Sequence, residues 1–281
     1  DKLKFEPNIN IFYGQNGQGK TNLLEMVYFN ITGKSFRTNK VKELINHEKD
    51  NLKVFSNYSD IIGKKNIAVS IKNKKEYYYN KTKVKYDEFI GKVNAISFIP
   101  EDISLVIGSP SIRRNFFDYE ISQANFKYYQ NLKEYNKILK SRNKLLKTKN
   151  TRGDIFDLYN KKFIDYSIRI IQKRLNFSKN LSRLLNLKYR KLFDIESELK
   201  LEYNSFIGDI EKLSENQIKE KILKKMKKVK KRENRYGYSL VGPQKDKYKF
   251  LLNEKNARNY SSQGEKKSIV FALKIAEIDI M

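Results

Sequence analysis

The segment from Ile9 to Thr21, Ile-Asn-Ile-Phe-Tyr-Gly-Gln-Asn-Gly-Gln-Gly-Lys-Thr, constrains this chain more than any other. Its apolar start reads as a short buried strand. The Gly14-x-x-x-x-Gly19-Lys20-Thr21 that follows has the spacing of a phosphate-binding loop, and the apolar periodicity of Leu23, Leu24, Met26 and Val27 predicts a helix after it. Glycine at 14, 17 and 19 permits backbone angles closed to other residues, so that consecutive N–H groups of Gly14, Gln15, Asn16, Gly17, Gln18 and Gly19 can converge on phosphate oxygens. The positive end of the helix adds to that field. In this pattern Lys20 reaches the β- and γ-phosphates of ATP, and the hydroxyl of Thr21 holds the Mg2+ that bridges them. A chance glycine-rich turn before a helix does not require the whole pattern with both flanks.

Composition narrows the partners. The 281 residues carry 59 Lys and Arg against 32 Asp and Glu, a formal net charge of +27 that favours a polyanion. A bias toward Lys, Asn, Ile and Tyr codons accounts for part of that excess. Without cysteine there are no disulfides or thiolate metal sites, and the single histidine, His47, removes histidine metal clusters and reads as a solvated loop residue. No apolar run has the length of a membrane span and no signal peptide opens the chain, so the expected location is the cytoplasm. Asp1 is not an initiator Met and Met281 falls inside a helical pattern, so the sequence is expected to be a piece of a longer chain.

Strands are predicted at Ile67–Ile71, at Tyr77–Tyr79 paired with Thr82–Val84 across Asn80-Lys81, and at Val93–Ile99. The basic loop Gly33–Thr38 reads either as a cover for the nucleotide or as a solvated connector. Pro100 argues against an acidic metal-binding strand ending in Glu101-Asp102, and a helix is expected from Pro110. The middle is helical. Tyr128, Leu132, Tyr135, Leu139 and Leu146 keep helical spacing, as do Phe156, Tyr159, Phe163, Tyr166 and Ile170, then Leu181, Leu185, Tyr189 and Leu192. The break at Thr151–Asp154 predicts an antiparallel helical hairpin whose aromatic stripes are core.

Ile218, Ile222, Met226 and Val229 mark a further helix, whose other faces carry Lys224, Lys225, Lys227, Lys228, Lys231 and Arg232. These six read either as a solvated face or as a phosphate-contacting DNA surface. Tyr248, Phe250 and Leu252 alternate as a strand, with a turn at Asn253–Lys255 and a return strand over Ala257–Tyr260. Last, Ser262-Gln263-Gly264-Glu265 opens a helix. Ser262 and Glu265 fit a capping box, and the serine hydroxyl with backbone amides at a helix start also makes a second phosphate-binding surface.

The P-loop, the Ser-x-Gly helix start, Lys34–Thr38, Phe98-x-Pro-Glu-Asp-x-x-Leu-Val-x-Gly-Ser-Pro110 with Arg113-Arg114, Gly242-Pro243-x-x-Asp246 and Leu273–Asp279 together resemble the RecF family of SMC-like, ABC-type ATPases over essentially the whole chain. The family usually has His at the position of Phe36 and His-Arg at Gln244-Lys245. The resemblance implies an α/β fold, with a P-loop ABC-type ATPase lobe formed by 1–110 plus 236–281 and a mainly helical second lobe, 111–235, inserted between. It also implies an ATP-dependent homodimer in which Ser262, Gln263, Gly264 and Glu265 of one copy close over the ATP of the other. Double-stranded or gapped DNA, RecR and RecO are the implied partners, in loading RecA during recombinational repair. The family's acidic Walker B strand would follow the last helix, so no catalytic residue is assigned within these residues. Two alternatives stay open: an SMC-like or other ABC-type motor, and a non-hydrolysing nucleic-acid-binding protein with a vestigial nucleotide site.

Overall fold

The computed structural model describes residues 2–38, 40–60 and 63–280. They fall into two compact units divided between Ser97 and Phe98. The first carries α1 (Lys20–Thr32), the strands β1 (Leu52–Asp60), β2 (Gly63–Ile71), β3 (Lys75–Tyr79) and β4 (Thr82–Val84), and the short helix α2 (Tyr86–Phe89). The strands form an antiparallel meander in the order β1-β2-β3-β4. Ile67, Val69 and Ile71 alternate into one buried face, where Phe29 of α1 and Phe89 of α2 meet them. The predicted hairpin forms with Tyr79 opposite Thr82, and Asn80 and Lys81 take φ of 48° and 66°. Positive φ at both central residues is the turn whose twist matches that of the flanking strands.

Two predicted strands are corrected. Ile9–Tyr13 pairs with no described strand, and Ile9 and Ile11 are 79% and 78% exposed. Val93–Ile99 likewise joins neither sheet. Apolar content suits a strand, but only a neighbour's N–H and C=O groups make one, and neither segment has such a neighbour among the described residues. β1 was not anticipated.

The second unit opens with a 3-10 turn at Pro100–Ile103, in which Asp102 Oδ2 accepts from the N–H of Ile99 at 3.0 Å. Asp102 is thus a turn-capping carboxylate. α3 (Ser104–Ile107), α4 (Pro110–Ala124), α5 (Phe126–Lys147) and α6 (Asp154–Leu192) follow, α4 beginning at Pro110 as expected. α5 and α6 pack together as the predicted hairpin, with Tyr135 against Phe163. Then come β5 (Leu199–Asn204), α7 (Glu215–Tyr236), β6 (Lys247–Leu252), β7 (Lys255–Asn256), α8 (Ala257–Tyr260) and α9 (Gln263–Ile280). β5, β6 and β7 make a three-stranded antiparallel sheet. The alternation of Leu199, Leu201 and Tyr203 is the local signal for β5. The return strand placed at Ala257–Tyr260 is instead α8: β7 spans two residues, and Asn256 Oδ1 accepts from the N–H of Arg258 to start a helical turn.

One core joins Phe163, Ile171, Leu181 and Leu185 of α6 to Leu201 of β5, Ile222 of α7, Phe250 of β6 and Leu273 of α9. The aromatic stripes of the middle helices are therefore core, although Leu192 at the end of α6 is exposed. Among the described residues no helix is long and apolar enough to cross a membrane.

Arg174, 2% exposed, sits within this core and bonds α4, the Tyr128 hydroxyl of α5 at 3.1 Å and the Pro243–Asp246 stretch. It meets Asp118 of α4 at 2.8 and 2.9 Å, the Pro243 carbonyl at 2.7 Å and Asp246 at 2.6 Å. Asp246 also accepts from the Tyr203 hydroxyl at 2.6 Å and the Phe206 N–H at 2.7 Å. This explains the Gly242-Pro-x-x-Asp246 stretch. Gly242, at φ 120°, brings the backbone so close to Tyr135 and Phe163 that a Cβ would lie 2.4 and 2.6 Å from them. Burial pushes the Asp246 carboxyl above its ordinary range, against the pull of Arg174. A second buried pair, Arg142–Glu233 at 2.7 Å, ties α5 to α7.

Glu277 of α9 is 0% exposed, and neither carboxylate oxygen has a hydrogen-bond partner among the described residues. Lys274 Nζ lies 3.6 Å away. Burial raises the Glu277 pKa well above the usual carboxylate value, outweighing that lysine. The native state then keeps a proton that the unfolded chain releases near pH 4.5. Stability should accordingly fall as pH rises between the unfolded and folded pKa values, by up to about 1.4 kcal/mol per pH unit. Chemical denaturation of wild type and Glu277→Gln across this range checks it, because the glutamine variant should lack that component.

Candidate nucleotide site and basic surface

Gly14, Gly17 and Gly19 adopt φ of 148°, 84° and 84°, so the loop uses the conformational freedom its glycines supply. Gly19 is the N-cap of α1 and offers no side chain to its first turn. The early amides of α1 are therefore left for a ligand at the positive end of a 13-residue helix. Lys20 Nζ folds back over the loop, donating to the carbonyls of Gly14 at 2.8 Å and Gln15 at 2.6 Å. Gln15, Asn16, Gln18 and Thr21 are exposed beside it. Backbone donors, an ammonium group and a hydroxyl at a helix start fit a polyphosphate carrying a divalent cation.

The Gly33–Thr38 loop is neither free nor merely solvated. Ser35 donates to the buried Glu25 of α1, while its Oγ accepts from the N–H groups of Arg37 and Thr38, each at 2.9 Å. Arg37 reaches Asn22 at 2.7 Å and Glu25 at 3.6 Å. A second cation thereby stands one residue from Thr21. Phe36 packs on the ring of Tyr28, which gives an apolar use to a position where the family usually has histidine. Gln244, at the other such position, accepts from the Tyr135 hydroxyl and donates to the Val241 carbonyl.

At the start of α9 the capping box forms. Ser262 Oγ accepts from the N–H of Glu265 at 3.2 Å, and the Glu265 carboxylate accepts from the N–H of Ser262 at 2.5 Å. Ser262, Gln263 and Gly264 remain exposed. On α7, a capping box of Ser214 and Gln217 starts the helix and Gly237 stops it at φ 74°. Ile218 and Ile222 face the core, so Lys224, Lys227, Lys228, Lys231 and Arg232 are left on the outside. Lys225 differs, because its ammonium donates to the Phe206 carbonyl. Sequence reading missed Lys247 and Lys249, although their alternation with Tyr248 and Phe250 was a legible sign that both point outward from β6.

No protein-family model matches the chain. Curated relatives do. The DNA replication and repair protein RecF of Clostridium perfringens is 36% identical over 284 residues, covering 99% of this chain and 77% of its own. The RecF proteins of Alkaliphilus oremlandii and Ligilactobacillus salivarius are 37% and 32% identical, each over 99% of this chain and over 77% and 75% of theirs. Among solved structures, that of the recombination mediator protein RecF-ATP in the RecFOR pathway is similar at a TM-score of 0.93 and 32% identity, over 100% of this chain and 76% of that one. The RecF-ATPrS structure gives 0.91 at the same identity. These matches fit the SMC-like alternative less well than they fit a RecF protein. A glycine-shaped loop closed by Lys20, in a chain that those structures match along all of its residues, agrees with relatives above 30% identity, and the chain belongs to the RecF family.

Proposed function

We propose that this chain is an ATP-dependent DNA-binding protein of recombinational repair and replication restart. The loop from Gly14 to Gly19, with its three positive-φ glycines and Lys20 poised over it, carries the reading. Backbone amides of the loop and the Lys20 ammonium hold the phosphates of ATP, and the Thr21 hydroxyl ligates Mg2+. Bound Mg2+ would neutralise phosphate charge. Arg37 adds positive charge at the same end of α1.

The ATP-bound form is a homodimer, with exposed Ser262, Gln263 and Gly264 of each copy meeting the nucleotide of the other. Residues 1–110 and 236–281 act in it as one ATPase lobe, and 111–235 as the arm. The dimer clamps double-stranded or gapped DNA against Lys224, Lys225, Lys227, Lys228, Lys231 and Arg232. RecR and RecO are the partners in the cytoplasm. Two similar structures of RecF-ATP and RecF-ATPrS support the nucleotide, and the names of the curated relatives support the repair role.

Ser262→Arg tests the dimer. It should leave ATP affinity within about two-fold of wild type, cost about 1 kcal/mol through the lost cap, and abolish ATP-dependent dimerisation in sedimentation velocity. A variant that still dimerises with ATP would reduce Ser262 to its cap.

A further inference from the structure

Beside α7 a cleft of about 480 Å³ opens between the outward face of β6 and the turn after β5. Lys225, Lys245, Lys247 and Lys249 line it, with Asn204 and Ser205, and no carboxylate is among its lining residues. The fold brings these four lysines to one cleft. Residues 245, 247 and 249 alternate with the buried Asp246, Tyr248 and Phe250, so three lysines share one face, and Lys225 comes across from α7 to the Phe206 carbonyl. Among the described residues, only Lys249 of these four has an acidic partner, Glu202 at 3.6 Å. Four like charges around one concavity repel each other unless an anion comes between them.

A separate feature adjoins the cleft. Tyr236 and Tyr238, at the end of α7, stack on each other with ring centroids 6.0 Å apart and planes 25° apart, yet they are 50% and 46% exposed. Lys245 Nζ stands 5.9 Å from the Tyr238 ring and Arg235 is 6.0 Å from that of Tyr236. An exposed aromatic face next to cations suits the face of an unpaired base, whereas a base inside a duplex has none to offer.

We propose that the cleft and the tyrosine pair form a binding site for a single-stranded stretch of nucleic acid. Lys225, Lys245, Lys247 and Lys249 take neighbouring backbone phosphates, and the tyrosines stack against an unpaired base. The site rests on the reading that the protein binds DNA and adds to it a strand-specific contact, which shares Lys225 with the α7 surface but is distinct from Lys224, Lys227, Lys228, Lys231 and Arg232.

The test compares a labelled thymidine oligonucleotide with a hairpin duplex lacking unpaired tails, by fluorescence anisotropy with the full chain, without ATP and over a salt series. Lys245→Ala/Lys247→Ala should weaken single-strand binding about ten-fold and reduce the slope of log affinity against log salt by about 1.4, or ~0.7 per lost phosphate contact. Tyr236→Ala/Tyr238→Ala should weaken it about five-fold or more at an unchanged slope and leave the duplex unaffected. All four side chains are exposed, and an unchanged thermal midpoint confirms folding. Wild-type single-strand affinity in both variants overturns the proposal. So does equal loss for both DNAs in the lysine variant with no effect of the tyrosines, which would make the cleft a duplex-backbone contact. Loss in Lys224→Ala/Lys228→Ala/Lys231→Ala alone would keep the DNA reading and sink this site. Failure of the wild-type chain to bind either DNA would remove both.

Discussion

Arg174→Met is expected to destabilise the protein by about 3–5 kcal/mol, the range for removing one partner of a buried ion pair. Methionine fills much of the volume, so the loss comes from what stays behind. Asp118 and Asp246 would face each other's surroundings without the guanidinium that bonds both, and the Pro243 carbonyl would lose its donor. For the 184-residue second unit this should lower the melting temperature by roughly 6–20 °C. Thermal unfolding followed by circular dichroism measures it. Adding Asp118→Asn and Asp246→Asn to the methionine background should recover part of the loss, since neutral amides lack the stranded charges. A single variant melting within about 2 °C of wild type would show that the network is not needed to hold α4, α6 and the start of β6 together.

Lys20→Ala is expected to weaken ATP binding by about 10- to 100-fold, as loss of a charge-assisted hydrogen bond to phosphate implies. Stability should change by less than about 1 kcal/mol, because Lys20 Nζ contacts two carbonyls of an exposed loop and nothing in the core. Isothermal titration with Mg-ATP reads the first quantity and chemical denaturation the second. Retained tight binding in a folded variant would remove the phosphate-binding assignment of the Gly14–Thr21 loop.

Several readings succeeded because their signals are local. Gly14, Gly17 and Gly19 announced positive φ, Asn80-Lys81 a tight hairpin, Pro110 a helix start, and Ser262 with Glu265 a capping box. Each depends on backbone preferences within about four residues. The helical stripes of α5, α6 and α7 were legible for the same reason, since one period of spacing identifies the face that is buried. Ala257–Tyr260 failed on a local competition, in which the Asn256 side chain caps a helical turn where alternation had suggested a strand.

What the sequence determined alone is therefore the glycine-rich loop before α1, the helical hairpin, the amphipathic helices and, through the family's motifs, the class of protein. Tertiary structure decided the rest. Ile9–Tyr13 has strand composition and no ladder partner among the described residues, Asp246 is a core ligand of Arg174, and Lys225 joins Lys245, Lys247 and Lys249 around one cleft. The reason is common to all three. Hydrogen-bond ladders, buried ion pairs and converging charges each need a partner distant in sequence, and a pattern read along one segment states what that segment can offer but not what it will meet.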